Sequence, residues 1–503
     1  MRMINQSWRR SFGSCSSIRG RCVISNFCSI TWIVVALQLV LLATRWHTCS
    51  SAVAVAARLE NDPASPRGYA RTQMSAADAA AELAASRQRW IPRNSTSFVQ
   101  SMRDARTHEF VSWNGDQQPR SSSSSSSFVQ TRGRQFVLNG RPMYVNGANL
   151  YWLMTAAANP YTRSQVTQVL QEAASVGLTV GRAWAFNDGI GYETLQSSPG
   201  VFNEYVFRGL DFAVAEAKRF GIRLILSLVN GNPSWGGKQQ YVDWAQEYAG
   251  IYLPDEDSFF TDPTIMSWYK NFVKTLLTRV NTVTGVAYKD EPAIFAWELI
   301  NEPRCVSDPS GDSLQAWIVE MAAFVKSLDQ NHLLEVGLEG FYSGESLARR
   351  GPVNPFSYAA EYGTDFFRDN QVPGIDFTTV HSYPDIWMPE LSEAEMIAYM
   401  QDWMNAHIDD SFYLNKPVMF TEFGKTSLTR GFHEGQRDLF MAAVYDTIYE
   451  SARKWGPASG ALVWQLSTNS LIADSQDGFA FVLSQCPSTA SVMHKQSFRM
   501  GLL

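Results

Sequence analysis

Eight short apolar runs, each rich in β-branched residues, constrain this chain more than any other feature. They read MYVNGANL (143–150), TVGRAWAF (179–186), RLILSLVN (223–230), IFAWELIN (294–301), LLEVGLEG (333–340), DFTTVHSY (376–383), VMFTEFG (418–424) and ALVWQLS (461–467). Runs of this length, apolar nearly throughout, suit strands covered on both faces, as parallel strands packed under helices are. Between most of them apolar positions recur at helical spacing, as in 163–177, 208–221 and 313–329. Eight such steps over about 370 residues predict an α/β fold, a (β/α)8 TIM barrel forming a single catalytic domain. An open doubly wound sheet is the alternative, and its phosphate-binding G-x-G-x-x-G at the first turn is absent.

The first 130 residues do not share this rhythm. Arg9, Arg10, Arg19 and Arg21 precede ITWIVVALQLVLLAT (30–44), a run without charge. A basic leader followed by such a run reads as a secretory signal over residues 1–57, with a retained signal-anchor as the alternative. Residues 58–130 are Ala-, Ser- and Arg-rich, carry the tract Ser121 to Ser127, and read as a disordered linker. Asn94 heads a glycosylation sequon on that stretch. The barrel is assigned to 131–503, led in by a hairpin around Asn139-Gly140. The chain is thus expected to be secreted, and to touch a membrane only if the anchor is kept as a type II span.

Cysteine use agrees with that route. Cys15, Cys22, Cys28 and Cys49 lie in or beside the leader, which leaves Cys305 and Cys486. An oxidising compartment would let these two pair, against the alternative of two separate buried thiols. The sequence holds no C-x-x-C and no His/Cys cluster, so no metal site is expected. A net charge of −6 with 18% charged residues provides no basic stripe for nucleic acid. The 16 Trp are what a sugar cleft needs, since pyranose C–H faces stack on flat rings.

In a TIM barrel the working residues sit at the C-terminal ends of the strands. Those ends carry a polar set that packing would not predict: Arg182 and Trp184 after the second run, Asn301 and Glu302 after the fourth, His381 and Tyr383 in the sixth, Glu422 in the seventh, Trp464 in the eighth. Two carboxyls three barrel steps apart can serve a glycosidase, one protonating the leaving oxygen and the other attacking carbon or activating water. Each residue alone has a plainer reading: N-E-P is an ordinary strand exit, a lone Arg an ion-pair partner, a lone His a satisfied polar group, a Trp part of the core. Glu335, Glu339 and Glu361 are further carboxyls near strands with no role assigned. The coincidence of five strand ends at one rim carries the catalytic reading. Arg182 would hold the nucleophile's pKa low, and Asn301 would bond the sugar 2-hydroxyl.

The stretches VNGANLYW, GRAWAFND, WELINEPRC, VHSYPDIW, FTEFGK and LVWQLS, in that order, resemble the plant-type endo-β-1,4-mannanases of glycoside hydrolase family 5. The resemblance runs from about Phe136 almost to the C-terminus. It implies Glu302 as general acid/base and Glu422 as nucleophile of a retaining hydrolysis of internal mannosidic bonds in (galacto/gluco)mannans of the plant cell wall, with no cofactor. It implies support from Arg182 and Tyr383 at the nucleophile, Asn301 and His381 at substrate and acid, and Trp464 beneath the reacting sugar. Trp152 and Trp184 match positions that line the cleft. Another β-1,4-glycanase or a mannan transglycosylase would use the same residues, whereas a non-catalytic glycan-binding barrel would have lost a carboxyl. The segment VNGNPSWGGKQQY (229–241) departs from the pattern: Gly231 and Pro233 interrupt an expected Asn-Asn and alter the substrate rim.

Overall fold

The computed structural model describes residues 128–503, apart from Tyr192. The leader, nearly all of the linker and Asn94 lie outside the described residues. Eight strands form the barrel: β1 (Val145–Asn149), β2 (Val180–Trp184), β3 (Arg223–Ser227), β4 (Ile294–Glu298), β5 (Leu333–Glu335), β6 (Thr378–Ser382), β7 (Val418–Phe423) and β8 (Ala458–Val463). They pair in parallel in the order β5-β4-β3-β2-β1-β8-β7-β6. The seam between β5 and β6 is bridged by Asp376 N–H to Leu334 O at 2.8 Å and His381 N–H to Glu339 O at 2.9 Å. Every strand residue except Arg223 is buried, which is why the runs read as continuously apolar rather than alternating.

Helices of the expected phase follow the strands, at Arg163–Ser175, Glu204–Arg219 and Asp312–Leu328. Caps fix several starts. Asp262 accepts the N–H groups of Thr264 and Ile265 ahead of Pro263, and Ser392 with Glu395 forms a capping box at the head of Glu393–Leu414. Among the described residues no helix is long and apolar enough to cross a membrane.

The strands are shorter than the apolar runs. The fifth stops at Glu335 because Gly337 turns left-handed (φ +100°) and crosses the end of β4, where a Cβ would stand 1.9 Å from Ile300 O. The first begins at Val145, since Met143 belongs to the leading antiparallel sheet (Gln130–Arg132, Gln135–Leu138, Arg141–Met143). That sheet turns at Asn139 and Gly140, both at positive φ. It closes the floor of the barrel: Phe136, fully buried, meets Phe295 and Phe377 edge-on at 5.1 and 5.2 Å. Val129, at the end of the expected linker, is 3% exposed in the same cluster, so the packed chain begins slightly earlier than residue 131.

Candidate active site

The opposite end of the barrel is polar, and Arg182 is its centre. This side chain rises from β2 with 1% exposure and uses every nitrogen of its guanidinium. Nε and Nη2 donate to the two oxygens of Glu298 at 2.6 and 2.7 Å. Nη1 donates to Glu422 Oε1 at 2.6 Å and to Asn149 Oδ1 at 3.0 Å, and Nη2 also reaches Asn301 Oδ1 at 2.5 Å. A planar fork of five N–H donors can serve four partners from three strand ends; an ammonium could not.

Glu422 receives a second donor on its other oxygen, the Tyr383 hydroxyl, at 2.5 Å. Burial and the Glu422 charge hold that phenol well above its ordinary pKa, so it keeps its proton and donates. Glu302 stands opposite, with Oε1 2.7 Å from His381 Nδ1, which in turn lies 3.6 Å from Glu422 Oε2. One oxygen from each of Glu302 and Glu422 and a nitrogen of His381 all lie within 4.8 Å of one another. The three atoms have the makings of a ligand set. Two strong donors already occupy Glu422, however, and Nδ1 and Oε1 are at hydrogen-bond distance, so the donor set fits proton handling better than a cation.

Burial pushes both carboxyls above the ordinary range. For Glu302 the Arg304 and Arg182 charges pull the other way. For Glu422 the counter-pull comes from His381, Arg182 and the Tyr383 hydrogen bond. Arg182 therefore acts on the nucleophile candidate as expected, but shares its charge with Glu298 and does not outweigh burial. Burial also lowers His381, which favours the neutral imidazole.

Backbone geometry delivers Glu302 to the mouth. Its φ is +51°, a left-handed conformation that a side-chain-bearing residue adopts at a cost of about 1 kcal/mol. Its N–H reaches across to Gly337 O at 2.9 Å. Gly231, the departure noted in the third loop, lies against the same turn: a Cβ there would stand 2.2 Å from Glu302 O. Asn230 beside it accepts from Asn301 Nδ2 at 3.0 Å, which fixes the amide that also faces Arg182.

Aromatic rings wall the cleft. Trp464 stacks on Tyr151 at 5.6 Å and 14°, and its indole N–H donates to Asp477 Oδ2 at 2.8 Å. Trp184 packs against Tyr151 and Trp235 and lines the cavity with Glu302, Glu422 and Tyr383. Trp387, Ile386 and Phe479 complete the lining.

Two expectations need correction. Trp152 is not among the residues lining the cavity; it is 7% exposed, its N–H donates to Leu466 O at 3.1 Å, and it is the neighbouring Tyr151 that packs on the lining rings Trp464 and Trp184. Cys305 and Cys486 are both free. Each thiol has its own polar neighbour, Ser307 Oγ at 3.8 Å and Glu434 Oε1 at 3.4 Å, and no bridge joins them. Sequence reasoning missed Glu298, Asn149, Asn230 and Asp477. Glu298 carried a signal, as the one charge inside an otherwise apolar buried run.

Comparison with known proteins agrees with this geometry. A family model described as GH family 5 beta-mannosidase-like matches residues 126–479. Mannan endo-1,4-beta-mannosidase 7 of Arabidopsis thaliana is 52% identical over 380 residues, covering 75% of this chain and 86% of its own. Mannan endo-1,4-beta-mannosidase 1 of Oryza sativa subsp. japonica is 52% identical over 378 residues, with the same coverage. Among solved structures, the endo-1,4-beta-mannanase of Rhizomucor miehei superposes with a TM-score of 0.62 at 31% identity, over 75% of this chain and 100% of its own.

Proposed function

The chain belongs to the glycoside hydrolase family 5 β-mannosidase-like family, and on that premise we propose that it is an endo-β-1,4-mannanase that cleaves internal mannosidic bonds with retention of configuration. The observation that carries the reading is the approach of Glu302 and Glu422 oxygens to within 4.8 Å. Retaining glycosidases hold their carboxyls about 5–5.5 Å apart, whereas inverting ones need about 6.5–9.5 Å to admit water between them.

In the first step Glu422 attacks C1 of a mannosyl unit while Glu302 gives its proton to the departing oxygen. Arg182 and Tyr383 hold the attacking carboxylate by separate oxygens, which fixes its plane and limits its motion. Burial raises the Glu302 pKa and so favours the protonated form this step needs. Ester formation then removes the Glu422 charge, which had helped to hold that proton on. Glu302 becomes easier to ionise and takes a proton from water as the water oxygen bonds to C1, while the ester bond breaks and Glu422 leaves as its carboxylate. Asn301, pinned by Arg182 and Asn230, presents its remaining N–H toward the sugar 2-hydroxyl. Trp464 supplies the stacking face.

The substrate is mannan or its glucose- and galactose-bearing forms in the plant cell wall. The leader, the apolar run 30–44 and the Asn94 sequon support export. Cleaved signal or retained anchor is decided by N-terminal sequencing of the secreted enzyme. The activity is tested by reducing-end release from galactomannan and glucomannan against carboxymethyl-cellulose, with the first-formed anomer read by NMR. A preference for the cellulose or an inverted first product would overturn the reading. Trapping a mannosyl adduct on Glu422 by mass spectrometry would establish the nucleophile.

A further inference from the structure

A second pair of carboxyls lies below the mouth of the barrel, and the hydrolysis scheme leaves it without a role. Glu298 ends β4, Glu335 ends β5, and the strand register sets them directly side by side. Both are 0% exposed. Glu298 gives both oxygens to Arg182. Glu335 accepts the Thr379 hydroxyl on Oε2 at 3.3 Å, while its Oε1 has no hydrogen-bond donor although no solvent reaches it.

The charged and titratable groups facing this pair are few. Arg182 comes from β2 and holds Glu422 of β7 on its other edge, His381 comes from β6, Glu302 follows β4 and is partly exposed at the mouth, and Tyr269 from the helix Pro263–Thr278 spends its hydroxyl on Leu299 O. One obligate cation therefore confronts three buried carboxyls. Ionising all three would leave two negative charges uncompensated in the barrel, at several kcal/mol each. A proton on Glu335 removes one of them and gives the pair a donor of its own, between two side chains that lie at hydrogen-bonding range.

We propose that Glu298 and Glu335 share a single proton, and that the resulting pair is a positioning device that fixes the guanidinium plane of Arg182 so that one N–H edge stays aligned with Glu422. The electrostatics run the same way. Burial and the adjoining Glu298 charge raise Glu335 well above the ordinary carboxyl range. Burial would raise Glu298 too, but the Arg182 charge beside it prevails and holds it low. The pair carries one negative charge, enough to offset Arg182 in part without detaching it from Glu422. This inference rests on Glu422 as the nucleophile; the shared proton itself does not.

The test uses the whole enzyme with Glu335→Leu and Glu335→Gln. Removing the donor in Glu335→Leu leaves Glu298 less satisfied and drawn harder to Arg182, so Glu422 is less stabilised as an anion. The expected result is a fall in kcat of about tenfold, a KM nearly unchanged, and an acidic limb of kcat/KM moved to higher pH. Glu335→Gln, whose amide can donate in place of the carboxylic acid, recovers most of the rate. The infrared difference spectrum of the parent minus Glu335→Gln at neutral pH shows a protonated-carboxyl stretch. An unmoved rate and limb in Glu335→Leu, a Glu335→Gln variant no better than it, or no such stretch would each overturn the proposal. The infrared reading stands even where Glu335→Leu does not fold. If Glu422→Ala hydrolyses normally, the functional reading fails while the stretch still reports on the shared proton.

Discussion

The floor and the mouth of the barrel are built from the same strands and buried to the same depth, yet they hold opposite chemistry. At the floor Phe136, Phe295 and Phe377 close around Val145, Ile225 and Leu462. At the mouth Arg182, Glu298, Glu335 and Glu422 occupy equally dry positions. Apolar burial at the floor stabilises the fold directly, by roughly 1.5–3 kcal/mol per large side chain. Charge burial at the mouth is costly, and is tolerated at Glu298 and Glu422 because each meets fixed donors. One end holds the barrel shut; the other keeps a cation and several carboxyls where water would otherwise relax them.

Substitutions should therefore separate turnover from stability, and the sharpest separation is at Glu422. Glu422→Ala is expected to lower kcat by about 10⁴-fold or more, with a circular-dichroism spectrum like the parent's; reducing-sugar release measures it. Arg182→Lys should cost about 10²–10³-fold in kcat, since a single ammonium replaces a fork that serves Glu298, Glu422, Asn149 and Asn301 at once. The matching change at the floor is Phe136→Ala. It should lose about 3–5 kcal/mol of stability by denaturant titration, while kcat at a permissive temperature changes little. A large fall in kcat there would break the comparison.

A smaller effect tests electrostatics at the rim. Arg304 pulls the Glu302 pKa down, and pairs with Glu339 at 2.6 Å. Arg304→Ala removes that cation and frees the Glu339 charge, and both changes make Glu302 hold its proton longer. The alkaline limb of kcat/KM should move to higher pH, by less than about one unit. The smallest expected change is none. Cys305 and Cys486 should both be alkylated under denaturing conditions without prior reduction, as two free thiols require.

Much of this was legible in the chain because the strand runs are buried on both faces and long enough to stand out. Glu302 stood out because it follows an apolar run abruptly, and Glu422 because it interrupts one. The contacts between them were less accessible. The division of Arg182 between Glu298 and Glu422 depends on barrel closure, which brings residues 182, 298 and 422 to one point. Glu335 had been noted as a carboxyl without a role, and only its register against Glu298 gives it one. Trp152 and Tyr151 are adjacent in sequence, so composition could not say which ring meets the cleft. Two buried cysteines likewise carry no distance information.

The left-handed turn at Glu302 sets activity against stability. A carboxyl side chain there stands on a backbone that asparagine adopts with less strain, and it is largely enclosed with its charge only partly answered. Glu302→Asn should thus yield a protein that is inactive yet harder to unfold than its parent.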